Sequence, residues 1–476
     1  MVQLFRIGSA DRLLALLVFF ALLQLPYLFG NDHILVQELL RIRLGERLAS
    51  GWWLYAQAAD DTAPLPALIY GLLARAGMAN FHVFRIGAAL LLIFQALWFN
   101  RMAAKFQLVS EKNFLIAFFY LIAARCGADT LSFSPVLIGL TFVLFSFGRF
   151  FRILKDGTSE QDAMMSGLWI GMAVICHQPF LSFLLPMLLS AILFSGMRMN
   201  HYFLLLFACL LPFGFFYTFY LVQGTLADFL NCFLAGFQLR SGLRLSEPEL
   251  PLLVSMVLLA LCVLGWAISN QNSKVNFQRL GFNIFFFTSI AAFAGSFAGP
   301  VKCTEPLLML LPPVAFFSAQ MVLLSRRRIR NEFLGMFLLI LFVGGFYLQA
   351  GPDQPAARWN RALFTSDPPK GFTLNFRNKS LLLLSNDFRY YLYNPPATRF
   401  LRFYVCGMKP QQLQTYEGLI YWYQCLEEDP PQLIFDPSGQ MEKLALRIPE
   451  FARCYRLSFY PNLYEAVPGK TFGSGN

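Results

Sequence analysis

The chain has 476 residues, of which 57% are hydrophobic and only 14% charged, with a mean hydropathy of +0.53. Such a chain cannot cover itself with polar surface, which excludes a water-soluble globular enzyme and requires an integral membrane protein. The formal charge of +11 does not call for nucleic acid, because much of the excess lies in short loops that the positive-inside rule assigns to the cytoplasm.

Arg6 and Arg12 precede the apolar run 13–29, and no small-residue cleavage site follows it. This predicts a retained signal anchor, with a cytoplasmic N-terminus and an extracytoplasmic first loop. That loop, residues 31–65, gathers Asp32, His33, Glu38, Glu46, Asp60 and Asp61 with Arg41, Arg43 and Arg47. Within it, residues 33–50 show helical spacing, with Leu35, Leu39, Ile42, Leu44 and Leu48 as an apolar stripe, which predicts a helix lying in the membrane interface. Ser50-Gly51 ends the helix, and Trp52, Trp53 and Tyr55 supply an aromatic anchor. Asp60-Asp61-Thr62-Ala63-Pro64 then reads as a helix start, with Asp61 a candidate cap and Asp60 its solvated neighbour. The run 65–73 is too short to span.

Further spans are predicted near 83–100, 114–126, 133–151, 164–177, 179–196, 201–222, 250–269, 281–299, 304–324 and 332–350. With the first, they give an all-α polytopic domain, residues 1–350, of about 11 transmembrane helices. Residues 351–476 then form an extracytoplasmic α/β domain, from strand-like runs at 379–385 and 432–435 around a helical pattern at 411–426. Asp387 and Asp436 follow the strand ends, where a turn or cap role outweighs ligand binding. The nine cysteines include no CxxC pair, so no zinc or iron-sulfur site is indicated. Cys406, Cys425 and Cys454 lie in the polar tail, where one disulfide can form in an oxidising compartment. There is no Walker loop or GxGxxG fingerprint, and no internal repeat of the kind secondary transporters carry.

ELLRIRLGERLASGWWLY followed by DDTAPLPALIY, together with GLWIGMAVICHQPFLSFLLPMLL at 167–189 and KCTEPLLMLLPPVAFF at 302–317, resembles the membrane-embedded C-type (GT-C) glycosyltransferases. The likeness is to the branch that holds the protein O-mannosyltransferases and the lipid A aminoarabinose transferase, and it covers most of residues 10–350. In that register Glu38 takes the place of the family's first acid and Asp61 that of the acid in its Asp-Lys-Pro-Pro element. The departures are specific. Leu39 follows Glu38 where the family has a second acid, His177-Gln178 stands where a lysine often precedes the proline, and Thr304-Glu305-Pro306 replaces an aromatic.

The resemblance implies transfer of a sugar from a polyprenyl-phosphate carrier to an extracytoplasmic glycan, lipid or protein acceptor at a bacterial inner (plasma) membrane, with the C-terminal domain periplasmic. Such a transfer needs a carboxylate to receive the acceptor's proton and a positive group to steady the departing phosphate. Glu38 is the candidate base, with Asp61 and Asp32 behind it. The bland alternatives are an ion pair between Glu38 and Arg41 and a helix cap at Asp61. His177 is a candidate to hold phosphate or move a proton. Arg125, Arg240, Arg244 and Lys302 fall in outside loops as phosphate or lipid ligands, although anchoring to ordinary headgroups is the commoner role. No cofactor is required, but a divalent cation bridging Glu38 and Asp61 to phosphate is chemically reasonable. The rival reading is a membrane scaffold that kept the GT-C frame after losing the paired acid and the lysine.

Overall fold

Helix α1, Ala10–Phe29, contains Pro26, and its last turns show how apolar spans carry arginine. Proline cannot donate to the helical ladder, and in a low-dielectric interior the carbonyls around it need other donors. Arg85 supplies one through Nη1 to the Tyr27 carbonyl at 2.9 Å, with its guanidinium 4.6 Å over the Tyr27 ring. Arg125 supplies another through Nη2 to the Leu23 carbonyl. Both arginines are buried.

The computed structural model describes residues 2–29, 34–109, 112–127, 129–157, 159–235, 237, 250–272, 276–297, 304–324, 328–344, 364–365, 367–385, 387–399, 401 and 415–470. After α1 come β1 (Ile34–Leu35), α2 (Val36–Ala49), α3 (Pro64–Arg75), α4 (Phe81–Lys105), α5 (Leu115–Ala123), α6 (Pro135–Asp156) and α7 (Glu160–Cys176). A 3-10 helix, Gln178–Phe183, leads to α8 (Leu184–Phe194), α9 (Met199–Val222), α10 (Leu226–Ala235), α11 (Leu250–Asn272) and α12 (Asn276–Gly295). A second, Glu305–Leu310, leads to α13 (Leu311–Leu324) and then α14 (Arg328–Leu339).

Among the described residues, six helices are long and apolar enough to cross a bilayer: Ala10–Leu28, Phe81–Lys105, Pro135–Asp156, Met199–Val222, Phe277–Gly295 and Glu305–Leu324. Shorter apolar helices occupy Gln178–Phe194, Val254–Asn270 and Asn331–Gly344. The chain is a multi-pass membrane protein. The span expected at 114–126 is instead α5, whose nine residues are all buried. At about 1.5 Å per residue it reaches only about half of a hydrocarbon core, and an apolar run reads alike whether protein or lipid surrounds it.

The chain divides into two units. The first comprises Met1–Asn31, His82–Thr218 and Gly236–Ala362; the second comprises Asp32–Phe81, Phe219–Ala235 and Leu363–Asn476. In the first, Ser134 caps α6 by accepting from the Leu137 amide at 3.0 Å, with Pro135 preset at the first helical position. Helix α7 meets α9 through the Gly167-x-x-x-Gly171 stripe. A Cβ at Gly167 would lie 2.0 Å from the Leu205 carbonyl oxygen, and one at Gly171 2.3 Å from that of Cys209. Small residues are what allow helix backbones to approach so closely inside a membrane.

In the second unit, β1 pairs antiparallel with β2 (Phe364–Thr365), Ile34 opposite Thr365. The polar tail continues with α15 (Lys370–Phe376), β3 (Leu381–Leu383), α16 (Tyr416–Glu428), β4 (Leu433–Phe435), α17 (Gln440–Arg447), α18 (Pro449–Cys454), β5 (Tyr455–Leu457) and β6 (Leu463–Ala466). The strand, helix, strand pattern expected there is present as β3 and β4, parallel with Leu381 opposite Leu433 and α16 between them in the chain. Strands β6 and β5 extend the sheet antiparallel, giving the order β3-β4-β6-β5. Leu382, Trp422, Leu426, Ile434, Met441 and Phe451 belong to its buried core.

Gly167→Leu is expected to force α7 off α9 and lower stability by about 1–3 kcal/mol or more, the usual penalty of overpacking. Thermal unfolding of the detergent-solubilised variant, with Gly214→Leu on the exposed side of α9, where a Cβ meets open space, as control, measures it.

Candidate functional site

The first-loop helix exists as expected, but its surroundings differ. Helix α2 buries Val36, Gln37, Glu38, Leu39, Leu40, Arg41, Ile42, Leu44 and Gly45, so protein encloses it on more than the apolar stripe. Gly45 permits one close approach, since a Cβ there would sit 2.7 Å from the Tyr70 carbonyl oxygen of α3. The polar side of α2 faces the C-terminal segment of its own unit. Arg43 donates through Nε to the Tyr391 carbonyl at 2.8 Å and through Nη2 to that of Leu392 at 2.9 Å, while Nη1 meets Glu46 at 2.7 Å. Arg47 reaches Asp429 Oδ2 at 2.7 Å and the Pro396 carbonyl, and it stacks 4.2 Å over Trp52. These arginines hold structure together. Charge and helical spacing alone gave no means of telling a face that meets water from one that meets another protein segment.

Glu38 lies in the first turn of α2 with none of its surface exposed. Asp61 is half-buried and does not cap α3: the residue at that position is Ala63, which has no side-chain cap, and Pro64 opens the helix. Asp60 is the reverse of the solvated neighbour expected. It is 1% exposed, and its Oδ1 accepts from the Thr62 amide at 2.9 Å and from the Thr62 hydroxyl, an Asx turn. Its buried Oδ2 has no hydrogen-bond partner, a costly condition for a carboxylate oxygen.

Tyr55 walls this turn. It takes a positive φ of 69°, donates to the Thr62 carbonyl at 2.8 Å, and packs edge-on to Tyr220 with ring centroids 5.4 Å apart. Burial pushes its phenol well above the usual range, helped by Tyr220, Asp60 and Asp61. Asp228 of α10, in the same unit, is also raised by burial, with Arg399 opposing. The tail aspartates behave as turn residues: Asp387 meets Arg389 at 2.7 Å, and Asp436 accepts from the Ser438 amide at 3.1 Å and the Met441 amide at 2.6 Å.

The first unit contains an acidic pair that the sequence reading did not bring together. Asp129, in the turn between α5 and α6, is fully buried. Its Oδ2 accepts from the amides of Thr304 at 2.8 Å and Glu305 at 3.3 Å, and its Oδ1 from the Thr304 hydroxyl. Glu305 is itself buried and accepts from Ser132 Oγ at 3.1 Å. Gly127 makes room, because a Cβ there would collide with the Thr304 side chain. Burial, then the neighbouring Glu305 charge, pushes Asp129 up to about 6 against the bonds from Thr304. The two acids are 176 positions apart; the one signal in the chain was Thr304-Glu305-Pro306 standing where the family pattern has an aromatic.

The other expected site residues are dispersed. His177 ends α7 at the break before Pro179, half-buried and edge-on to Phe180 at 5.7 Å. Arg125 is fully buried and also meets Gln24 Oε1 at 3.2 Å. Asp32, Arg240, Arg244 and Lys302 lie outside the described residues. Among the described residues no group of three or more His, Cys, Asp or Glu side chains is placed to hold a metal ion. Cys425 and Cys454 are not disulfide-bonded to each other, whereas Cys232 is disulfide-bonded.

The long apolar helices, the enclosed first-loop helix and the small C-terminal sheet together have a divergent GT-C-like fold. The structural match that carries this is the crystal structure of ArnT from Cupriavidus metallidurans bound to undecaprenyl phosphate. It covers 93% of this chain and 89% of that one, with a TM-score of 0.52 at 12% identity. The apo state of the same ArnT aligns over 92% of this chain and 96% of that one, with a TM-score of 0.40 at 11% identity. No family model and no curated protein matches the chain.

Because the folded Asp129 holds its proton up to about pH 6, above its ordinary 3.8, the native state binds more protons than the unfolded one between those values. Stability from this group is therefore highest below about pH 4 and declines as pH rises towards 6. In Asp129→Asn this decline is expected to disappear, which unfolding midpoints measured from pH 4 to 7 will show.

Proposed function

We propose that the protein is a GT-C glycosyltransferase that takes a sugar from a polyprenyl-phosphate carrier and places it on an extracytoplasmic acceptor at the bacterial inner membrane. The observation that carries this reading is the pair Asp60-Asp61 at the entrance to α3. One carboxylate is sealed with an unmatched Oδ2, and the other is part exposed. An exposed carboxylate backed by a buried one is a place where a hydroxyl proton can be accepted as the sugar carbon is attacked. Asp61 is then the base that meets the acceptor, Asp60 its fixed electrostatic backing, and Glu38 an enclosed inner carboxylate. The undecaprenyl phosphate bound by the ArnT neighbour supports a polyprenyl-phosphate carrier. The disulfide at Cys232 supports an extracytoplasmic location for the second unit, since such bonds persist in oxidising compartments.

A specific observation favours the scaffold reading as well: Glu38 is wholly enclosed, and Arg43 and Arg47 are engaged in structure. Sugar transfer from a labelled polyprenyl-phosphate donor pool separates the two. Asp61→Asn is expected to lower transfer by roughly 100-fold or more with an unchanged unfolding midpoint, and Glu38→Gln to lower it less. Wild-type turnover in Asp61→Asn removes that residue from the chemistry. Donor binding with no turnover in the unmodified protein leaves the scaffold standing.

A further inference from the structure

At the far end of α4 and α6 from the Asp129 turn lies a cavity of about 420 Å³ that the proposed transfer does not use. Arg101, Lys105, Arg149 and Arg152 line it, with Trp98 and Trp169 among its aromatic walls and no carboxylate in the lining. Four cations around one hollow repel one another unless something anionic is present. Part of that is built in: Asp162 Oδ1 accepts from Arg149 Nη1 at 3.0 Å and from Arg152 Nη1 at 3.4 Å. This single carboxylate orients two guanidiniums by one nitrogen each. Their remaining N–H groups stay available, and the balance of charge stays strongly positive.

The walls are fixed rather than incidental. Trp98 packs against Gly148, where a Cβ would be 2.7 Å from the indole, and edge-on to Phe145 with centroids 5.2 Å apart. Phe145 in turn meets Trp169 edge-on at 5.4 Å. Arg101 and Lys105 are exposed, while Arg149 and Arg152 are half-buried. Helices α4 and α6 are both long enough to span, and the cations sit on their last turns. The cavity is therefore at headgroup depth, where tryptophan also prefers to lie.

We propose that this cavity binds a phosphate-bearing anion, supplied by the headgroup of an anionic phospholipid. Guanidinium forks match phosphate oxygens two at a time, and the lysine adds a point charge. The indoles cover the glyceryl and upper acyl carbons that enter with the phosphate. A basic pocket between spanning helices is the setting in which such lipids are held against exchange.

The full chain in a neutral detergent, titrated with dibrominated phosphatidylglycerol or dibrominated phosphatidylcholine, tests this through quenching of tryptophan emission. Phosphatidylglycerol is expected to quench at roughly ten-fold lower concentration. Trp98→Phe should remove a large part of that signal. The double variant Arg101→Gln/Lys105→Gln should erase the preference, and Arg101→Lys should keep most of it. Arg101 and Lys105 are exposed, so their replacement spares the Asp162 pairing, and an unchanged unfolding midpoint confirms the fold. Reversal of quenching by millimolar inorganic phosphate assigns the anion to a water-borne phosphate instead of a lipid. Equal quenching by the two lipids with no response to phosphate, or a lipid preference that survives the double variant, overturns the proposal.

Discussion

Arg47 on α2 is the joint on which the second unit depends. Its Nη2 is shared between Asp429 Oδ2, at 2.7 Å, and the Pro396 carbonyl, and its guanidinium plane is stacked on Trp52. Asp429 Oδ2 also accepts from the Thr398 amide at 2.9 Å, so one carboxylate fastens both a helix and a loop. Both charged side chains are mostly withdrawn from water, where a hydrogen-bonded ion pair is far less screened than on an open surface. Losing either partner would leave the other charge desolvated and unmatched, a severe penalty. Arg43 repeats the device at two carbonyls earlier in the tail, Tyr391 and Leu392. The placement of α2, and with it of Glu38 and the turn at Asp60, follows from these contacts.

The same economy governs charge in the helical unit. Arg125 and Asp129 lie four positions apart and are both fully buried, yet each takes backbone partners elsewhere: the first at the Leu23 carbonyl, the second at the amides of Thr304 and Glu305. Helix ends carry unsatisfied carbonyls and amides, and in an apolar surrounding a buried ion is a suitable partner for them. Asp129 also complements the positive end of the helical segment that begins at Glu305. The raised proton affinity of Asp129 is the conflict that remains, because burial penalises its charge and the same helix start brings Glu305 beside it.

Much of the scaffold was legible from the chain. Apolar length located the six helices long enough to cross a bilayer, the Ser50-Gly51 break ended the first-loop helix within a residue or two, and β3, α16 and β4 stood where the strand, helix, strand pattern put them. The site was less so. Adjacent acids look alike in a sequence, and the distinction between Asp60 and Asp61 arises from one Asx turn at Thr62. The stripe on α2 was read correctly as a helix face, but a polar side that meets another segment has the same composition as one that meets water. Antiparallel β5 and β6 are short, with one residue of each facing inward, so their alternation gives little signal. Asp129 and Glu305 converge only after the helices between them have packed, a relation no local pattern encodes.

The second unit is assembled from three separated stretches, Asp32–Phe81, Phe219–Ala235 and Leu363–Asn476. During synthesis its first stretch emerges long before its last, so Arg43 lacks the Tyr391 and Leu392 carbonyls, and Arg47 lacks Pro396 and Asp429, until those residues have left the ribosome. Contacts of such long sequence separation close late and slowly. A nascent chain interrupted before that point would expose an incomplete, charged and partly apolar module to quality-control proteases. Translation past Asp429 is thus itself the step that lets α2 find its partners.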